Sequence, residues 1–121
     1  MSDNRPVALH VEDNRRDLEA YAETVKDKVT LLQAYNLDLA RQYYDEYGHN
    51  LAFIVVDGKV EGRRFDTRPF IEHLVSDSFP NPIIGMSGDL DEEMIEAGCT
   101  MTIPKGADCF MKFREFVAGL L

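Results

Sequence analysis

Leu51-Ala52-Phe53-Ile54-Val55-Val56 is the most hydrophobic run in the chain, and nothing polar alternates within it. A strand of that composition has no face to give to water and needs cover on both sides. That is the situation of a central strand in a parallel sheet sandwiched between helices. The run stops at Asp57. In sheets of this kind ligands bind in the crevice beyond the carboxyl ends of the strands, so this carboxylate is placed on the functional rim.

The rest of the chain supplies partners for such a strand. Val7 to Val11 is a second compact apolar run, cut off by Glu12-Asp13-Asn14, and Leu18, Tyr21, Ala22 and Val25 then recur at the spacing of one helix face. Val29 to Ala34 reads as a strand, and Leu37, Ala40, Tyr44 and Tyr47 as the face of a helix that Gly48 ends. Phe70, Ile71, Leu74 and Val75 mark a third helix starting near Asp66 or Thr67, with Pro69 tolerated in its first turn. Pro82 to Met86 is a strand, Asp91 to Ala97 a short helix stopped at Gly98, and Thr100 to Ile103 a last strand. A final helix from about Asp108 carries Phe110, Phe113, Val117 and Leu120 on one stripe. Five βα units with right-handed crossovers give an α/β (βα)5 doubly wound fold, a five-stranded parallel sheet flanked by helices. At 121 residues the chain has room for one such domain, residues 1–121.

Charge narrows the partners. The net charge of −9 repels nucleic-acid backbones and anionic headgroups, so neither nucleic acid nor a membrane is expected as a direct partner. No run reaches the length of a membrane span and Met1 to Pro6 is not a signal-peptide stretch, so a cytoplasmic protein is expected. Cys99 and Cys109 lack CxxC spacing and are expected as reduced, partly buried thiols. His10, in mid-strand, is expected to be a packed core histidine, and His49 and His73 surface residues.

The strand ends carry the chemistry. Glu12 and Asp13, Asp57, Ser87 and Lys105 would all converge on one rim. Two carboxylates about 4 Å apart repel by roughly 4 kcal/mol at an effective dielectric near 20, so the cluster needs a proton, an ammonium or a cation. Mg2+, a hard ion taking oxygen ligands, suits it, and Lys105 adds a fixed positive charge. Asp57 could then attack phosphorus, with Lys105 neutralising the transferred oxygens. The Ser87 hydroxyl has two readings, a hydrogen-bond donor to the phosphoryl group or a turn hydroxyl before Gly88.

Val7 to Asn14 (VALHVEDN), Ile54 to Asp57 (IVVD), Ile83 to Gly88 (IIGMSG) and Glu96 to Lys105 (EAGCTMTIPK) resemble the receiver domains of response regulators, over essentially the whole chain. The separations agree, 87 − 57 = 30 and 105 − 57 = 48 residues. The resemblance implies the flavodoxin/CheY-like strand order 2-1-3-4-5 and a role in two-component phosphorelay signalling. It implies Asp57 as phosphoacceptor; Mg2+ held by Glu12, Asp13, Asp57 and the Lys59 backbone carbonyl; Ser87 as the switch hydroxyl; and Lys105 as the family's lysine. The implied partners are a histidine kinase or histidine phosphotransfer protein and a downstream protein target, with a monomer or phosphorylation-dependent dimer. Such a domain is not an enzyme in the ordinary sense, though it can catalyse its own phosphorylation and dephosphorylation.

Three departures stand out. Asp57-Gly58-Lys59-Val60-Glu61-Gly62 has two glycines and no proline, which predicts a loop more mobile than usual. Lys105 is followed by Gly106 where the family has a proline, and Thr102 stands where the family commonly has a mobile aromatic, so an atypical switch is expected. Lys59 and Asp89 are expected to form a salt bridge across the mouth of the site. The departures favour an alternative, a degenerate receiver-like interaction module not controlled by phosphorylation. A dehalogenase-like phosphotransferase is disfavoured because Lys59 replaces the second Asp of a DxD motif, and a nucleotide- or flavin-binding domain because no Gly-rich loop follows the first strand. The ending at Leu121 is compatible with both a stand-alone domain and a piece of a longer protein.

Overall fold

The computed structural model describes residues 5–120. Strands β1 (Val7–Val11), β2 (Thr30–Ala34), β3 (Ile54–Asp57), β4 (Ile83–Ser87) and β5 (Met101–Pro104) alternate with helices α1 (Arg15–Val25), α2 (Leu37–Tyr47), α3 (Arg68–Ser76), α4 (Asp91–Ala97) and α5 (Cys109–Leu120). All pairings are parallel and the order is β2-β1-β3-β4-β5. This is the doubly wound parallel sheet that the five βα units predict, in the strand order that the family resemblance implies.

The central run feeds both faces of the sheet. Ile54 and Val56 join a core under α2, α3 and α4, while Phe53 and Val55 join one under α1 and α5, as the two-residue period of a strand requires. β3 begins at Ile54 rather than Leu51, yet the preceding residues already bond to β1: the Ala52 amide donates to the Val7 carbonyl (2.8 Å) and the Leu9 amide to the Phe53 carbonyl (3.1 Å). His10 is buried between Tyr21 and Phe113, with ring centroids 5.1 and 6.4 Å away. Burial, and secondarily the charge of Lys105, push its pKa down to about 3. Cys99 and Cys109 are free, as expected, and buried rather than partly buried.

Two stripe residues turn outward. Leu120 is exposed, and Val75, five positions after Phe70, falls off the face that Phe70, Ile71 and Leu74 bury. Val75 lies instead against Gly98, where a Cβ would sit 2.2 Å from its Cγ2. Gly98 also ends α4 at φ +127°, so both its backbone and its missing side chain are used.

Register aligns the strand ends. Val11 pairs with Val56, so Glu12 follows beside Asp57; Asp57 pairs with Met86, so Ser87 comes next; and Ser87 pairs with Pro104, immediately before Lys105. Glu12 is level with Asp57, and Ser87 and then Lys105 each stand one residue further on, which brings the polar ends of four neighbouring strands to a single edge.

Candidate functional site

Glu12 and Asp57 are 3% and 6% exposed, although both are carboxylates. Burial of two such groups has to be offset by a partner. Lys105 provides it: its ammonium is paired with Asp57 Oδ1 and lies 3.4 Å from Glu12 Oε2. Burial opposes the charge on Lys105, but the bonds and fields of Asp57 and Glu12 outweigh it and raise its pKa. For Glu12, burial and then the Asp57 charge push the pKa up to about 7. One lysine therefore does not fully balance this pair.

Asp13, exposed on the same rim, brings a third carboxylate. Ligand atoms of Glu12, Asp13 and Asp57 all lie within 4.8 Å of one another. Three oxygen donors at that spacing, one with its ionisation suppressed, fit a hard divalent cation such as Mg2+. The Asn14 amide donates to Glu12 Oε1 (3.0 Å), and the Asn14 side chain caps α1 by accepting from the Arg16 and Asp17 amides, which fixes the turn carrying the acidic pair.

The turn that follows Asp57 is closely fitted. A Cβ on Gly58 would approach Leu90 Cδ1 to 2.6 Å, so glycine lets the chain pass beneath α4. The Lys59 amide donates to Asp57 Oδ2 (3.2 Å), and the buried Thr67 hydroxyl donates to the Asp57 carbonyl (2.8 Å). The loop expected to be mobile is tied down. Asp66 accepts from the amides of Val60 (2.9 Å), Glu61 (2.7 Å) and Arg63 (3.2 Å), and Glu61 Oε2 accepts from the Leu37 amide (2.9 Å) at the start of α2. Side-chain carboxylates here supply the bracing that the loop's composition alone did not suggest.

Lys59 and Asp89 line one cavity of about 280 Å³ with Asp57, Arg64, Ser87 and Lys105. The salt bridge expected between Lys59 and Asp89 does not form. No ion pair among the described residues joins them, because Asp89 is drawn back to Ser87, whose hydroxyl donates to Asp89 Oδ1 (3.4 Å). Ser87 Oγ also accepts from the Asp89 (3.1 Å) and Leu90 (3.0 Å) amides, so it braces the turn into α4 while remaining on the cavity wall. Thr102 is half-buried on β5. Gly106 follows Lys105 with no cis peptide bond among the described residues, and its carbonyl accepts from the Cys109 amide (3.2 Å) to open α5.

The sequence reading missed Thr67, Asp66, Glu61 and Arg64. Asp66 and Thr67 had a signal, since both sit just before α3, but they read there as helix-start residues. Arg64 had none, because its partner Glu93 is 29 residues away; the pair is 3.4 Å apart.

No protein-family model and no curated protein matches the chain. Solved structures do. A response regulator from Thermotoga maritima superposes with a TM-score of 0.77 at 18% identity, covering 96% of this chain and 97% of that one. A response regulator receiver protein from Pseudomonas putida gives 0.71 at 20% identity (95% and 99%), and the receiver domain of the Francisella response regulator 1452 gives 0.76 at 14% (96% and 96%). The chain thus has the CheY-like fold of response-regulator receiver domains. Among the described residues no helix is long and apolar enough to cross a membrane.

Proposed function

We propose that residues 1–121 form one phosphorylatable receiver domain of a two-component pathway, taking a phosphoryl group on Asp57 from a phosphohistidine of a kinase or phosphotransfer protein. The observation that carries this reading is the buried Asp57 carboxylate at the end of β3, paired with Lys105 and grouped with Glu12 and Asp13. Asp57 oxygen forms the new O–P bond as the donor's P–N bond breaks, leaving an acyl phosphate and a free imidazole. Lys105, already on Asp57 Oδ1, holds the incoming oxygens, and the Ser87 hydroxyl on the cavity wall donates to one of them after releasing Asp89. Glu12, Asp13, Asp57 and the Lys59 carbonyl would hold Mg2+, which supplies further charge neutralisation when bound. The domain would act in the cytoplasm as a signalling element rather than a metabolic enzyme, presenting its phosphorylated form to a downstream protein.

A second reading, an interaction module indifferent to phosphate, draws on Thr102 at the relay position and on a Ser87 hydroxyl already engaged in a turn. Incubation with Mg2+ and acetyl phosphate separates the two. Intact mass of the wild type should rise by one phosphoryl group and that of Asp57→Asn should not; an unchanged wild-type mass, in conditions that label a control receiver, would favour the second reading.

A further inference from the structure

The proposed chemistry leaves two cationic side chains in the cavity unused, Lys59 and Arg64, and of these Arg64 is the one paired with a residue of α4. Lys105 is committed to Asp57 and Glu12, whereas Arg64 opens onto the same cavity and reaches across to α4. Its position is built rather than incidental. The next residue, Phe65, is buried at φ 51°, a left-handed conformation rare for a bulky side chain, and the Arg68 guanidinium lies 5.8 Å over its ring. Asp66 clamps the loop on one side of this turn, and Thr67 ties it to the acceptor's own carbonyl on the other.

The contact Arg64 makes in this state is a poor one. A single nitrogen, Nη2, meets Glu93 Oε1 at 3.4 Å, and Glu93 Oε2 is buried with no hydrogen-bond partner. A guanidinium matches two oxygens of a carboxylate or phosphate with two parallel bonds, and here that capacity is unspent. Arg64 is two-thirds exposed, so the pair itself is worth little and a better anion in the cavity can displace it.

We propose that Arg64 is the reader of the phosphoryl group in this chain. Unmodified, it rests on Glu93 at the head of α4; a phosphoryl group on Asp57 draws it onto the phosphoryl oxygens and releases Glu93, so that occupancy of the acceptor is relayed to α4 without an aromatic at position 102. This relay rests on Asp57 being the acceptor. Glu93 competes with the phosphoryl group for one guanidinium, and by linkage it weakens binding of any phosphoryl mimic by the same factor that the mimic weakens the Arg64–Glu93 contact.

Beryllofluoride, a tetrahedral mimic that binds acceptor carboxylates, gives the test. Its dissociation constant in saturating Mg2+ is read by fluorine NMR for the wild type, Arg64→Gln, Glu93→Gln and the double variant. Arg64→Gln should weaken binding about tenfold, as for loss of a charge-assisted hydrogen bond, and Glu93→Gln should tighten it by up to about fivefold, as for loss of a competing surface pair. The double variant should match Arg64→Gln. If Glu93→Gln tightens binding equally with and without Arg64, Glu93 acts only through its field and the relay is wrong. Wild-type affinity in Arg64→Gln overturns it equally. Absence of any bound fluoride in the wild type would overturn the acceptor reading itself, and the relay with it.

Discussion

At the ends of β1 and β3 the rim is built from buried carboxylates paired with Lys105 from the end of β5, whereas at the end of β4 and in the loop above β3 it is built from hydrogen bonds to backbone and one exposed ion pair. Lys105, about a third exposed, holds the two buried carboxylates of Glu12 and Asp57 in place. Ser87, Asp66 and Glu61 instead stitch turns, and Arg64–Glu93 sits at the surface. The first region is costly to change and suits chemistry at a fixed point. The second is made of small, exchangeable contacts and suits a response to that chemistry.

The largest expected effect is on the charged side. Lys105→Met leaves Glu12 and Asp57 buried without their ammonium. In metal-free buffer it should lose roughly 2 to 3 kcal/mol in urea unfolding, less than for a fully enclosed pair because the lysine is about a third exposed. Added Mg2+ should return part of that loss. A variant as stable as the wild type would mean that the buried charges do not depend on one another.

Glu12 sharpens the same point through pH. Its folded pKa of about 7 lies above the ordinary value of 4.5, so the folded state holds the proton more tightly than the unfolded one. The stabilisation from that proton is complete below pH 4.5, is lost as pH rises to about 7, and is gone above it. His10 runs the other way: depressed to about 3, it favours the folded state increasingly as pH rises toward 6.5. Whole-protein curves therefore mix opposing slopes, and the difference between wild type and Glu12→Gln isolates one. In EDTA the wild type should lose about 2 kcal/mol relative to Glu12→Gln between pH 5 and 7.5. A constant difference would contradict the burial of Glu12 and its crowding against Asp57.

The hydrogen-bonded side should respond less. Ser87→Ala removes the oxygen that accepts from the Asp89 and Leu90 amides and should cost about 1 kcal/mol. Ser87→Thr should recover most of it. A loss as large as that of Lys105→Met would erase the distinction between the two regions.

This contrast also explains what the sequence made legible. The order of elements follows from apolar period, and Glu12, Asp13, Asp57, Ser87 and Lys105 could be grouped because each stands at the end of a recognisable strand. β4, whose apolar residues bound the run, extends to Ser87 itself. What escaped depends on the direction of a side chain within a loop. Asp89 was expected to reach Lys59 and turns to Ser87 instead; two glycines suggested a loose loop, yet Asp66 satisfies three of its amides. Arg64 meets Glu93 from the residue before a turn at which Phe65 takes a left-handed conformation, which no spacing encodes.

The most direct test of the central claim locates the phosphoryl group. After labelling with acetyl phosphate and Mg2+, borohydride reduces an aspartyl phosphate to homoserine, which peptide mass spectrometry places in the sequence. Homoserine at position 57 alone is the predicted result. Reduction at Glu12 or Asp13, or at no position in a protein shown to have gained the mass, would contradict Asp57 as the acceptor.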